Sequence, residues 1–308
     1  MRVAALDLGT NTFLCLLAEG NAQGISKIHK DMVEVVRLGQ AVDKNKVFHP
    51  YALSRARTCL EQFKKEIEIF HPDKILAVAT SAARDVSNSE ELFKIGEEYK
   101  IPIQIIEGEK EAQISYQGAL VGFDLKDKNV SVIDIGGGST EIISGQNGHI
   151  QFAQSLNMGG VRLTEKLITK QPVSPNEQIQ VKAAIQKHLD DFQAKKEFEA
   201  SEVLIAVAGT PTTLAAIELG ALGSDQFNHD KVDGFKFTLP QLEKWQNIFA
   251  TTSIEEKKSK YNLGGRADII FAGTTILIEV MKKFQFSEVM ISTKGVRYGV
   301  ALQLLQNH

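Results

Sequence analysis

One stretch constrains this chain more than any other: Val130–Gly145, VSVIDIGGGSTEIISG. An apolar run from Val130 to Ile135 carries one acid, Asp134, near its end. It breaks into Gly136-Gly137-Gly138-Ser139-Thr140 and resumes as a second apolar run with Glu141 at its start. Short apolar runs meeting at a glycine turn read as a β-hairpin. Successive glycines let backbone N–H groups approach an anion with no Cβ in the way. Two acids beside the turn are hard oxygen ligands of the kind that Mg²⁺ takes. The stretch reads as a phosphate cradle beside a metal site; the plainer reading is a glycine-rich hairpin with incidental acids.

The N-terminus repeats this grammar. Arg2–Leu8 is an apolar strand that ends in Asp7-Leu8-Gly9-Thr10-Asn11-Thr12, and a second apolar run, Phe13–Ala18, follows directly. Two copies of one device suggest two related halves. Lys27–Gly39 predicts a third strand, and the apolar spacing of Leu53, Ala56, Leu60, Phe63 and Ile67 predicts an amphipathic helix over Tyr51–Phe70, ended by His71-Pro72. Ile75–Ala79 is a buried strand whose carboxyl end, Thr80-Ser81-Ala82-Ala83-Arg84-Asp85, runs into a helix. Hydroxyls and an arginine there suit an anion site, and suit equally a helix cap with a surface ion pair. After the strand Ile101–Ile106, Glu107-Gly108-Glu109-Lys110-Glu111 opens a helix to about Ala119. Acids in a first helical turn are usually dipole partners; Glu111 stands out because its helix leads into the central hairpin.

Phe123–Asn129, charged and polar, is the candidate boundary between domains 1–124 and 125–308. The second half continues with a strand His149–Leu156, Asn157-Met158-Gly159-Gly160-Val161-Arg162 leading into a helix, and a long polar helix Asn176–Lys195. A buried strand Val203–Ala208 ends in Gly209-Thr210-Pro211-Thr212-Thr213, a further glycine and hydroxyl turn. Phe227–Lys236 is turn-rich, Leu239–Phe249 helical, and Lys257, Lys258 and Lys260 form a solvated helix face or a basic rim. A long helix Arg266–Phe284, a last strand Phe286–Ile291 and a terminal helix Val296–Gln306 complete the chain. Strands leading to helices, with hairpins at both Asp turns, predict an α/β fold with mixed sheets and ligands at the strand ends.

Composition narrows the classes. The 308 residues suffice for two domains, and the net charge of −3 does not argue for a nucleic-acid binder. Cys15 and Cys59 lack metal-ligand spacing and read as core fillers in a reducing compartment. No apolar run approaches a membrane span, and Asp7 interrupts the first apolar run too early for a signal peptide. The expectation is a cytoplasmic soluble protein, with neither nucleic acid nor membrane as partner.

In order and over nearly the whole chain, the segments Asp7-Leu-Gly-Thr-Asn-Thr12, Thr80–Asp85, Gly108-Glu-Lys-Glu-Ala112, Val132–Glu141, Met158-Gly159-Gly160, Ala208-Gly-Thr210 and Arg266-Ala-Asp268 resemble the exopolyphosphatase/guanosine pentaphosphatase family, short form. That family is a branch of the actin, sugar kinase and Hsp70-like superfamily. The resemblance implies two ribonuclease H-like domains with mixed sheets and an interdomain cleft, with the C-terminal helix, about 296–308, packed on the first. It implies hydrolysis of a terminal phosphoanhydride, in inorganic polyphosphate or at the 5′ phosphate of guanosine pentaphosphate. It also suggests a homodimer. Three positions depart from the family pattern: Pro211, Phe271 and Tyr298.

By the same resemblance Glu111 is the general base that activates water. Asp134 and Glu141 would hold Mg²⁺, or another divalent cation such as Mn²⁺, with Asp7 a further metal-linked or water-positioning acid. Backbone N–H groups of Gly136, Gly137, Gly138, Ser139, Gly209 and Thr210 would cradle phosphate oxygens. Thr10, Asn11, Ser81, Ser139 and Thr210 add hydrogen bonds, and Arg84 would pair with a phosphoryl group. Two other classes stay open: a nucleotide-dependent small-molecule kinase of the same superfamily, and a non-catalytic sensor of guanosine penta- or tetraphosphate.

Overall fold

A computed structural model describes residues 1–193, 201–220 and 229–306. The last two residues expected in the long polar helix, the first two of the turn-rich Phe227–Lys236, and the final two of the chain lie outside them. The chain divides into two compact units, Met1–Val121 with Gly295–His308, and Gly122–Lys294.

The first unit holds strands β1 (Arg2–Leu8), β2 (Thr12–Asn21), β3 (Gly24–Val35), β4 (Lys74–Ala79) and β5 (Ile103–Ile105), in the sheet order β3-β2-β1-β4-β5. β1–β2 and β2–β3 are antiparallel hairpins, whereas β1–β4 and β4–β5 are parallel. Helix Pro50–Phe70 covers one face with Ala56, Leu60, Phe63 and Ile67 of the expected repeat, joined by Ala52 and Cys59, while Leu53 is half-buried. Burial pushes the thiols of Cys15 and Cys59 well up, in keeping with core fillers. The other face takes the C-terminal helix Val296–Gln306, packed on helix Gly108–Ala119. That approach is backbone to backbone: a Cβ on Gly299 would lie 2.0 Å from the Ile114 carbonyl oxygen, and one on Gly118 2.0 Å from that of Gly295.

The second unit repeats the plan. Strands β6 (Asn129–Ile135), β7 (Thr140–Gln146), β8 (His149–Leu156), β9 (Val203–Val207), β10 (Lys236–Thr238) and β11 (Glu288–Ile291) lie in the order β10-β11-β9-β6-β7-β8. Read as β8-β7-β6-β9-β11, this is the order and polarity of the first sheet, with β10 added antiparallel at one edge. The two Asp turns are also built alike. Gly9 N–H donates to the Thr12 carbonyl at 3.1 Å, and Gly136 N–H to the Ser139 carbonyl at 3.0 Å. The fold is α/β with two mixed sheets, as the sequence predicts.

Several boundaries differ from expectation, some of them where a bond to a distant segment overrides the local pattern. The third strand stops at Val35 because Val36 N–H and Arg37 N–H both donate to the Asn11 carbonyl, turning the chain over the first Asp turn. Helix Ile270–Lys283 starts four residues later than expected, after a 3₁₀ turn at Gly264–Arg266, because the Arg266 side chain and the Asp268 carbonyl are both engaged elsewhere. Thr80–Asp85 makes only one turn, Ser81–Arg84. Phe286 closes the preceding helix by donating to the Met281 carbonyl, so the last strand begins at Glu288. Lys258 and Lys260 are exposed, but Lys257 is fully buried, which corrects the expected solvated face.

Helix Pro175–Gln193 opens on a loop stapled by Glu177. Its carboxylate accepts from Thr169 N–H (2.8 Å), Thr169 Oγ1 (2.8 Å), Ser174 N–H (2.9 Å) and Ser174 Oγ (2.7 Å). These bonds hold the carboxyl down at about 2, against an ordinary 4.5. A depressed carboxylate contributes stability above its ordinary value and loses it as pH falls towards the folded-state value. Glu177→Gln is therefore expected to melt below the wild type at pH 7, with the gap narrowing as pH drops from about 4.5 towards about 2. Calorimetric melts across that range check it; a gap independent of pH would contradict the assignment.

Candidate active site

In the first unit the expected site residues collect at the carboxyl ends of two neighbouring parallel strands. Asp7 lies opposite Val78 in the β1–β4 register, so the turn Gly9–Thr12 and the turn Thr80–Arg84 leave the sheet at the same edge. Thr10, Asn11 and Ser81 are buried there. The backbone of the first turn is fixed from outside, Thr10 O accepting from Gly39 N–H at 2.8 Å and Asn11 O from Arg37 N–H at 2.8 Å. The Asn11 side chain donates through Nδ2 to Thr12 Oγ1 at 3.3 Å, while its buried Oδ1 meets no donor among the described residues. A buried amide oxygen in that state is open to a donor from water or a ligand.

Glu111 distinguishes itself from its neighbours by burial. Glu107 and Glu109 are exposed in the same helical turn, whereas Glu111 is 7 % exposed. Its Oε2 accepts from Arg84 Nη1 at 2.8 Å, and the same nitrogen donates to the Ile106 carbonyl at 2.7 Å. The cap-and-surface-pair alternative for Arg84 is half right: it makes an ion pair, but a largely buried one, with the acid expected to be the base.

The second unit carries the glycine turn that the sequence reads as a cradle. Asp134 and Glu141 are directly opposed in the β6–β7 register and both buried, at 6 % and 0 % exposed. Ser155 Oγ donates to Glu141 Oε1 at 2.7 Å. In the first unit the position opposite Asp7 is Leu14, so the paired acids belong to the second copy alone. Two opposed carboxylates fit a hard cation that keeps other oxygen ligands, as Mg²⁺ commonly does, rather than an all-protein cage. Among the described residues no three His, Cys, Asp or Glu side chains come together as a metal set.

The glycine loop is held from behind by the helix Gly160–Leu167. Gly160 N–H donates to Gly136 O (3.0 Å), Val161 and Arg162 N–H to Gly137 O (2.9 and 3.0 Å), and Arg162 Nε to Gly138 O (2.6 Å). With three consecutive carbonyls drawn to one side, the N–H groups of Gly137, Gly138 and Ser139 remain for an anion. Gly136 is a correction: its N–H is committed to Ser139 O, so it shapes the turn and does not line the cradle.

Beside this loop, Asp134 opposes Val207 in the β6–β9 register, so the turn after β9 leaves the sheet at the same edge. Gly209 and Thr210 begin helix Gly209–Glu218, whose N-cap, Ala208, gives no side-chain bond. Their N–H groups are the uncapped first donors of a helix. Ala208 itself is at φ 75°, ψ −169°, a conformation nearly confined to glycine and of the strained kind that collects at functional sites. Pro211 falls in this first turn, where its missing N–H breaks no helical bond, which accounts for that departure. Phe271 is a core side chain, and Tyr298 donates to Asp31 Oδ2 at 3.0 Å, beside the Asp31–Arg297 ion pair.

Two arginines to which the sequence motifs give no role hold the turns in place. Arg162 holds the glycine loop, and Arg266 Nη1 donates to Gly209 O (2.6 Å) and Thr213 Oγ1 (2.7 Å). Burial of Arg266 pulls its guanidinium down to about 10. Both stand in or beside the segments Met158–Gly160 and Arg266–Asp268; that position was the available signal.

The chain is similar to known proteins over most of its length. Residues 16–308 match the Ppx/GppA phosphatase family. The chain is 30 % identical to exopolyphosphatase 2 of Mycobacterium tuberculosis, over 98 % of each chain. It is 32 % identical, over 99 % of its length, to a bifunctional 3-dehydroquinate synthase/phosphatase of Fusobacterium nucleatum, of which it spans 46 %. The crystal structure of the Aquifex aeolicus Ppx/GppA family member superposes with a TM-score of 0.81 at 27 % identity, covering 100 % of this chain and 99 % of that one. With the match running over nearly its whole length, the chain belongs to the Ppx/GppA phosphatase family.

Proposed function

We propose that this protein is a phosphoanhydride hydrolase releasing terminal phosphate from inorganic polyphosphate, and that guanosine pentaphosphate presents the same terminal anhydride to the same residues. The observation that carries the reading is Glu111, the one buried acid of its helical turn, fixed by Arg84 at 2.8 Å. The full-length similarity to a mycobacterial exopolyphosphatase supports polyphosphate as the substrate.

In this reading Glu111 takes a proton from the attacking water. Arg84 holds the carboxylate in one orientation through Nη1, and its other N–H groups can serve a phosphoryl oxygen. The N–H groups of Gly137, Gly138, Ser139, Gly209 and Thr210 bind phosphate oxygens, with donors already fixed before substrate arrives. Within the first unit, Asp7, Asn11 and Ser81 are the further polar groups this reading assigns to substrate. Asp134 and Glu141 would hold Mg²⁺, which supplies charge neutralisation on the phosphates.

The test is Mg²⁺-dependent phosphate release from long polyphosphate and from guanosine pentaphosphate at matched concentrations. Release from either supports the hydrolase. Transfer from ATP to an added acceptor, with no release from polyphosphate, would mark a kinase. Binding of the guanosine compound without release from any substrate would mark a sensor.

A further inference from the structure

Lys257 is fully buried, although Lys258 and Lys260 in the same helix, Ile254–Tyr261, are exposed. Burial pulls its ammonium down to about 8, with Asp268 acting in the opposite sense. An unbranched apolar side chain of similar length would fill the space without that desolvation cost. What the lysine adds is a donor. Its Nζ donates to Gln171 Oε1, and Gln171 Nε2 donates to the Asp268 carbonyl at 2.6 Å. The Lys257 carbonyl also accepts from Asn262 N–H and, at 3.3 Å, from Leu263 N–H.

One residue therefore grips the segment Leu263–Asp268 at both ends, by its backbone at the start and through Gln171 at the finish. Between those grips stands Arg266. Its N–H donates to Leu263 O at 2.9 Å and its carbonyl accepts from Ile269 N–H at 3.2 Å. Its guanidinium reaches Gly209 O and Thr213 Oγ1. Gln171 is in turn placed by the loop that Glu177 closes at Thr169 and Ser174. We infer that Lys257, acting through Gln171, is a positioning residue that sets Arg266 and thereby the Gly209–Thr213 turn. No step of hydrolysis passes through it. The inference rests on the proposed reading of that turn as a phosphate cradle.

Lys257→Met, Gln171→Leu and the double variant test it, with two readouts. Backbone hydrogen exchange without substrate is expected to speed up by about 10-fold at 209–213 and 263–268 in each variant, the scale of coupling through a bonded network. The hairpin Val130–Gly145 should exchange as in the wild type. With polyphosphate, KM is expected to rise about 10-fold while kcat stays within about twofold, the signature of lost phosphate binding. The double variant should be no worse than either single one. Unchanged exchange at 209–213 in both single variants overturns the inference. A kcat loss at constant KM overturns it too, since that reports only a smaller folded fraction. Faster exchange with unchanged KM overturns the link to phosphate. Should the wild type release no phosphate, the proposed function fails while exchange still decides the positioning role.

Discussion

Glu111→Gln is expected to cut phosphate release by at least about 10²-fold, the scale of general-base catalysis, while leaving KM close to that of the wild type. Glutamine keeps the length and planarity of the side chain and its Oε1 can still accept from Arg84, so the position stays filled. What it cannot do is take a proton. The substitution also removes the negative charge of a largely buried ion pair. A stability loss of about 1–3 kcal/mol is expected, in the range for hydrogen bonds to charged groups, and a thermal melt separates it from the kinetic effect. Glu109→Gln is the control: it changes an exposed acid in the same turn and should alter rate by less than about twofold. Near-full release by Glu111→Gln would remove the assignment of the base.

Gly159→Ala is expected to have a comparably large effect with the opposite kinetic signature. The backbone at Gly159 is extended, φ −154°, so conformational freedom is not the reason for glycine. Contact is. A Cβ there would lie 2.4 Å from the Gly137 carbonyl oxygen, 2.5 Å from its carbon and 2.7 Å from Gly138 N. All three are backbone atoms of the cradle, so no flexible side chain can move aside. Relief requires the helix Gly160–Leu167 to withdraw from the loop, at the expense of the bonds to Gly136 O and Gly137 O. Overpacking of this kind costs about 1–3 kcal/mol in stability. A cradle displaced by about 1 Å is expected to lose on the order of 10²-fold in kcat/KM. Calorimetry with tripolyphosphate should show weakened binding in Gly159→Ala and retained binding in Glu111→Gln. Wild-type binding by Gly159→Ala would show that the loop does not hold phosphate.

Much of the site was legible because it is local. Asp134, the glycine turn and Glu141 lie within one hairpin, and strand alternation alone places opposed residues on one face. The repeat at Asp7–Thr12 was legible for the same reason, and the matching strand orders of the two sheets extend it to whole units. Glu111 could be singled out, but not its partner: Arg84 is 27 residues away in sequence, and only the packing of the turn after β4 against the following helix joins them. Lys257 misled for a related reason. Three lysines in a charged helix look alike in sequence, and which of them turns inward depends on an acceptor 86 residues earlier.

By itself, the sequence determined the hairpins, the two Asp turns, the α/β class and the family, since each follows from residue order within short segments or from motifs in series. The tertiary structure decided which backbone donors of the glycine turns are taken up within the protein. It committed Gly136 N–H to the turn, drew the carbonyls of Gly136, Gly137 and Gly138 towards one helix, and set Arg162 and Arg266 behind the two glycine turns. The physical reason is that a backbone donor is available to a ligand only when no protein acceptor has taken it. That accounting closes only once distant segments have packed.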